Sequence, residues 1–179
     1  MTGPTLTTDR LLLRPYEPYD LEEAAAMWAD PAVVRHIGGR PFTREETWAR
    51  LLRYIGHWHA LDFGTWSVRE AATDAYLGEV VLMNSRRATT PSFEGVPEVG
   101  WALSPAHHSR GYAREAVAAA LAWTDAQSMA RTVCIIDHAN TRSIALAGKL
   151  GFTPAGEVTY RDAPILLFER KAPTQLLPR

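Results

Sequence analysis

Cysteine is nearly absent from this chain of 179 residues: Cys134 is the only one. A lone thiol closes no internal disulfide, and a chain that relies on none suits a reducing compartment. Charge of either sign is not in excess, since 19 Lys and Arg face 20 Asp and Glu for a formal net charge of -1. A nucleic-acid-binding surface needs a basic surplus against phosphates, so that class is disfavoured. Long apolar runs are missing too, and none approaches the ~20 residues needed to cross a bilayer. The start, Met1-Thr2-Gly3-Pro4, lacks the basic residues and apolar stretch of a secretory signal. A cytoplasmic protein with neither membrane nor nucleic-acid partners is the expectation. His107 and His108 stand together, but no His, Cys and acidic set has zinc-binding spacing, so no metal is expected.

What is there reads as one ordinary globular domain, 46% hydrophobic and 22% charged, long enough to bury a core. Arg10 to Arg14 has strand character, and Asp20 is placed to cap a helix running to Asp30, where Pro31 ends it. Thr43 with Glu46 three residues on forms a capping box, opening a helix to about Ala60 through Trp48, Leu51, Leu52, Ile55 and Trp58. Strands over 65–69 and 75–85 flank a turn at 71–74. Residues 86–97 show no period, and a loop that long hints at a functional edge. A strand over 98–103, a helix from about Arg110 to Ser128, a strand over 132–136, a helix over 141–150 and strands over 155–160 and 165–170 complete the chain. Such a mixture implies an α/β or α+β sandwich around one sheet. The domain is expected over 5–171, with 172–179 a loose tail.

The most informative stretch is Glu98 to Val117, EVGWALSPAHHSRGYAREAV. A short apolar strand breaks at Ser104-Pro105 and re-forms as an alanine-rich helix, with Gly111 at the junction. The first turn of a helix carries unpaired N–H groups and partial positive charge, and a glycine there admits a phosphate to the bare backbone. Downstream, Asn140 precedes a helical run with Ile144, Ala147 and Leu150 on one face, closed by Gly151. A capping loop and a capped amphipathic helix describe both segments equally well.

The order of these residues adds a resemblance. His108-Ser109-Arg110-Gly111-Tyr112-Ala113 resembles the acetyl-CoA pyrophosphate loop of the GNAT superfamily of N-acetyltransferases, Gln/Arg-x-x-Gly-x-Gly/Ala, with His108 departing at the first position. Asn140 to Phe152 is similar to the family's Asn-x-x-Ser/Ala helix ending in Gly-Phe. Thr8-Asp9-Arg10-Leu11-Leu12-Leu13-Arg14-Pro15, with Asp20, resembles the first strand of the RimJ and RimL branch. The resemblance implies a single domain with a mixed, mostly antiparallel sheet of about seven strands flanked by helices. Its two central strands would splay so that acetyl-CoA enters between them. It implies cofactor contacts from Trp101, Ala102 and Leu103 of the strand, His108, Ser109, Arg110, Gly111, Tyr112 and Ala113 of the loop, and Asn140 and Ser143 of the later helix. A homodimer is common in the superfamily, although no sequence feature decides it.

Acetyl transfer from a thioester to an amine needs a neutral amine, a donor for the oxyanion and a protonated leaving thiol. Holding the substrates together supplies much of the rate. Glu98 is the leading candidate for general base, and a solvated strand-start residue is the plainer reading of it. Asp162, about nineteen positions after the helix serine, is the second; turn chemistry accounts for it equally. Ser143 stands where it could protonate the thiolate or merely cap its helix. The tyrosine that many members use as acid is replaced by Ala147. Cys134, mid-strand, reads as a buried small hydrophobe and not as a nucleophile. Trp66, Trp101 and Tyr112 read as core or cleft wall. The expected function is direct transfer of acetyl from acetyl-CoA to a primary amine, on a protein N-terminus or a small molecule, through a ternary complex. A non-catalytic CoA-binding sensor or interaction module is the alternative.

Overall fold

The computed structural model describes residues 3–173; the tail expected over 172–179 lies, from 174 onward, outside the described residues. In chain order the elements are β1 (Leu6–Thr7), β2 (Leu11–Pro15), α1 (Leu21–Trp28), α2 (Pro31–Val34), α3 (Arg44–Leu61), β3 (Trp66–Glu70), β4 (Tyr76–Met83), β5 (Thr89–Thr90), β6 (Glu98–Leu103), α4 (Tyr112–Ala126), β7 (Arg131–Ile136), α5 (Thr141–Lys149), β8 (Thr153–Tyr160) and β9 (Ala163–Lys171). They form one sheet in the order β1-β2-β3-β4-β6-β7-β9-β8-β5. Every neighbouring pair is antiparallel except β6 and β7. The sheet has nine strands where about seven were expected. The two extra are the two-residue segments β1 and β5, too short to carry a period of their own.

Alternation along the strands divides the core into two layers. In β4, Val80 and Leu82 turn toward α4 and α5, joining Ala116, Val117, Ala120, Leu121 and Ala147, while Val81 and Met83 turn toward Leu21 and Ala24 of α1 and Leu51 and Tyr54 of α3. The C-terminal end of α3 reaches round to the first layer, where Trp58, Trp66 and Trp123 meet edge to face at centroid distances of 4.9–5.6 Å. Such contacts add to the area that each ring buries. The capping box at Thr43 is present: Glu46 N–H donates to Thr43 Oγ1 at 3.1 Å, and Thr43 N–H donates to Glu46 Oε2 at 2.8 Å. Leu52, one of the apolar residues named for α3, is 47% exposed.

Two caps differ from the sequence reading. Asp20 does not cap α1. Its carboxylate is fully buried and accepts from Glu17 N–H at 2.8 Å, from both terminal nitrogens of Arg14 and from Arg69. Two guanidinium groups outside the helix compete better for a buried carboxylate than the neutral N–H groups of its own first turn. Asp30 does more than end α1, for its Oδ1 accepts from Ala32 N–H at 2.8 Å and starts the short helix α2.

Candidate active site

The parallel pair β6 and β7 determines where a ligand can enter. They share a single bridge, Glu98 with Val133, reinforced by Val133 N–H donating to Pro97 C=O at 3.0 Å. Beyond it no bridge joins them, although β6 continues to pair with β4 over its whole length and β7 with β9. The central strands splay. Because they are parallel, both deliver their following helices at the same sheet edge, so α4 and α5 start at the open end of the gap. Ligands of α/β sheets gather at such carboxyl ends.

The loop from β6 to α4 presents backbone there. Ser109 and Gly111 both have left-handed φ, 62° and 81°. Gly111 is the N-cap of α4, and no side chain caps this helix. The φ is what calls for a glycine, since a Cβ built there would make no more than ordinary contact, 3.4 Å from Arg10 Nη2. Uncapped first-turn N–H groups fit the pyrophosphate of a coenzyme A ester. The loop is held from behind by the N-terminal strand region. Arg10 donates to Arg110 C=O at 3.0 Å and to Glu115 Oε2 at 2.8 Å, and its guanidinium lies 4.7 Å from the Tyr112 ring centre. Thr8 Oγ1 donates to Glu115 Oε1 at 2.6 Å. These contacts hold Glu115 below the usual carboxylate range: burial pushes its pKa up, and the hydrogen bonds from Thr8 and Arg10 outweigh it.

Glu98 is buried at the point where the strands part, on the face away from α4 and α5. Arg87 holds it side-on, Nε to Oε2 at 2.6 Å and Nη2 to Oε1 at 2.9 Å. Arg87 Nη1 donates to Tyr160 OH at 2.8 Å, and the guanidinium lies 4.8 Å from that ring's centre. Burial draws the Arg87 pKa down, but Glu98 outweighs it and the group is held above its ordinary value. Cys134 is buried, and burial first, with the Glu98 charge second, pushes its thiol pKa up. A thiol kept protonated in this way is a poor nucleophile.

The remaining candidates fall as follows. Asp162 stands with Arg161 in the two-residue turn joining β8 to β9, both at positive φ (61° and 51°), and it is exposed. That is the backbone of a type I′ hairpin, in which aspartate is a favoured residue. Asn140 caps α5, accepting from Ser143 N–H at 3.2 Å, and Ser143 is half-buried. Trp101 is half-buried against the main core, and Ala102 and Leu103 are buried. His108 folds back, its Nε2 2.9 Å from Leu103 C=O, which braces the loop. Tyr112 is buried, with its hydroxyl donating to Glu70 at 3.0 Å. Trp66 is fully buried in the tryptophan cluster.

Three pairings escaped the sequence reading. Arg87 lies in the 86–97 loop expected at a functional edge, but with Arg86 and Glu94 beside it the mixed charge singles out none of them. Arg10 and Glu115 lie 105 residues apart. Glu79, on β4, is fully buried and accepts from Tyr54 OH at 2.6 Å, Tyr16 OH at 3.0 Å, Trp28 Nε1 at 3.3 Å and Arg50 Nη2 at 3.3 Å. Its only trace in the sequence is a carboxylate inside an apolar strand. An open groove lined by Pro18, Leu21, Arg44, Glu45 and Trp48 lies between the starts of α1 and α3 and shares no residue with the β6–β7 gap.

With this geometry in place, comparison with known proteins is decisive about family. The model of the acetyltransferase (GNAT) domain matches residues 10–153. A putative GNAT-family acetyltransferase from Bordetella pertussis has a similar structure, with TM-score 0.82 and 33% identity over 93% of this chain and 99% of that one. The uncharacterized protein YkkB of Bacillus subtilis is 25% identical over 170 residues, 93% of this chain and 95% of its own. The ribosomal-protein acetyltransferase RimL, solved in complex with coenzyme A, shares the fold at TM-score 0.73 and 12% identity, over 94% of this chain and 98% of that one. The chain belongs to the GNAT acetyltransferases. Within that family it is an acetyl-CoA-dependent N-acetyltransferase.

Proposed function

We propose that the protein transfers acetyl directly from acetyl-CoA to a primary amine in a ternary complex. The observation that carries this reading is the single β6–β7 bridge at Glu98 and Val133, with an uncapped helix start at the gap's open end. Bound acetyl-CoA supplies an activated thioester carbonyl. The pyrophosphate would rest on the backbone of Ser109 to Ala113, with Arg10 and Glu115 keeping that backbone in place. RimL with coenzyme A on the same fold supports the assignment. The acceptor approaches from the opposite face, where Glu98 lies. As the C–N bond forms and the C–S bond breaks, one proton leaves the neutral amine for Glu98, directly or through a water. Sulfur departs as the thiolate and takes one proton from water, and Glu98 returns its own to water. A burial-raised Cys134 offers no covalent detour.

A thiol-release assay with acetyl-CoA and a panel of amines tests the reading. Intersecting initial-rate lines are expected, and so is the absence of an acetyl adduct on Cys134 by mass spectrometry. Acetyl-CoA should raise the melting temperature, as a native-state ligand does. Gly111→Asp, which places a carboxylate at the phosphate site, should abolish that shift. A transferable acetyl group on Cys134 would overturn direct transfer. Binding with no thiol release from any amine would leave a CoA-binding module.

A further inference from the structure

We propose that Arg87 and Glu98 together form the acceptor site, and that the acceptor is an amino acid, a primary amine with a free carboxylate one or two carbons away. This rests on the acetyltransferase reading above and narrows it. Each Glu98 oxygen takes one Arg87 N–H, and a carboxylate oxygen has two lone-pair directions. Glu98 therefore keeps acceptor capacity for an ammonium without releasing Arg87. A guanidinium has five N–H donors; three of those on Arg87 are used, two by Glu98 and one by Tyr160. The other two have no partner among the described residues. The Arg87 side chain is 26% exposed, so the pair is not closed off from solvent. The two unused donors, one on each Nη, are the ones available to a carboxylate.

The placement fits the reaction. Glu98 marks the point where β6 and β7 part. Its neighbours Val99 and Leu103 face the α4 layer, whereas Val133 packs with Phe93, Val158 and Leu167 on the other side. Arg87, Glu98 and Tyr160 therefore lie on the face that the candidate phosphate loop does not use. Tyr160 stops the guanidinium from swinging away, through its hydroxyl and its ring. A fixed anion beside a fixed cation is the complement of a small zwitterion. Glu98 holds the amine, which arrives as the ammonium and gives one proton to water before attack. The neutral amine then passes its second proton to Glu98 as the C–N bond forms and the C–S bond breaks, sulfur takes one proton from water, and Arg87 holds the carboxylate. A polyamine meets repulsion at Arg87, and a peptide N-terminus leaves its donors unmet.

The test compares kcat/KM for glycine, alanine and β-alanine with their carboxamides, in wild type, Arg87→Lys and Arg87→Met. The amide's amine is less basic, so more of it is neutral at a given pH, and a preference for the free acid cannot come from amine basicity. Wild type should favour the free acids roughly 10- to 100-fold, the scale of a charge-assisted contact. Arg87→Met should bring the ratio to about one, and Arg87→Lys to an intermediate value through its charge alone. A wild-type ratio near one, or a preference that survives Arg87→Met, overturns the proposal. If a variant loses the acetyl-CoA thermal shift, the wild-type ratio decides alone. If no acceptor releases thiol, the enzymatic reading fails separately, and calorimetry of alanine into CoA-loaded wild type and Arg87→Lys decides the site. Millimolar binding weakened by the substitution supports it, and no binding overturns it.

Discussion

Glu98→Gln is the sharpest perturbation of this site, and the structure changes what it should do. Glutamine keeps one acceptor oxygen but turns an NH2 group against an Arg87 N–H, so one of two contacts becomes donor against donor. Removing one partner of a fully buried pair costs about 3–5 kcal/mol, and an exposed pair is worth about 0–1 kcal/mol. With 10% of the Glu98 side chain and 26% of Arg87 exposed, the pair sits nearer the buried limit, at ~2–3 kcal/mol. For a domain of this length that is roughly 4–12 °C in melting temperature. Arg87→Met alone should destabilise similarly, and Glu98→Gln with Arg87→Met should be more stable than the sum of the two, a coupling that a double-mutant cycle reads by thermal or denaturant unfolding. Turnover separates structure from chemistry. If Glu98 is the base, Glu98→Gln costs ~10²–10⁴-fold in kcat, and the double variant stays slow although its stability partly returns. If Glu98 only anchors Arg87, Arg87→Met alone slows turnover as much as Glu98→Gln does, and the double variant is no slower than either. A melting temperature unchanged by Glu98→Gln would refute the stability argument. A kcat within tenfold of wild type would refute the base, leaving proximity and solvent deprotonation, unless Asp162→Asn proved the costlier change.

Two further predictions address the loop and the edge of the site. Arg10→Ala removes the contacts behind the phosphate loop but leaves its backbone sequence intact; with Arg10 48% exposed, about 1 kcal/mol is at stake, and the acetyl-CoA Kd by calorimetry should rise roughly 3- to 10-fold. An unchanged Kd would mean that the loop holds its shape alone. His57 accepts from Asn84 N–H at 3.0 Å on Nε2, which leaves Nδ1 to donate to Phe63 C=O, and burial lowers its pKa. The unfolded chain then binds the proton first, so unfolding free energy should fall as pH drops below about 6.5 and level off under the lowered native value. His57→Gln should flatten that window; an unaltered pH profile would assign the loss to other groups.

The sequence was legible where partners lie within one turn of one another. Thr43 and Glu46, Asn140 and Ser143, and Gly151 behind α5, at φ 84°, all behave as their local spacing implied. It misled at Asp20, where the same local logic suggested a cap, because Arg14 and Arg69 come from strands whose adjacency no period reveals. The family resemblance supplied the splay of β6 and β7; no residue in either strand announces that one bridge will form and the rest will not. The acceptor side shows the limit most clearly. Arg87 and Glu98 are 11 residues apart, close enough to be read together, yet the stretch between them has no period. Its fold is set by β5 pairing with Thr159 and Tyr160 and by Phe93 packing under it against Val133, Val158 and Leu167. That pairing returns the loop beside Tyr160 and turns one of several loop charges into the partner of the candidate base. An aperiodic stretch thus delivers Arg87 to Glu98 through distant pairing, whereas the candidate phosphate loop is contiguous in the sequence and legible from it.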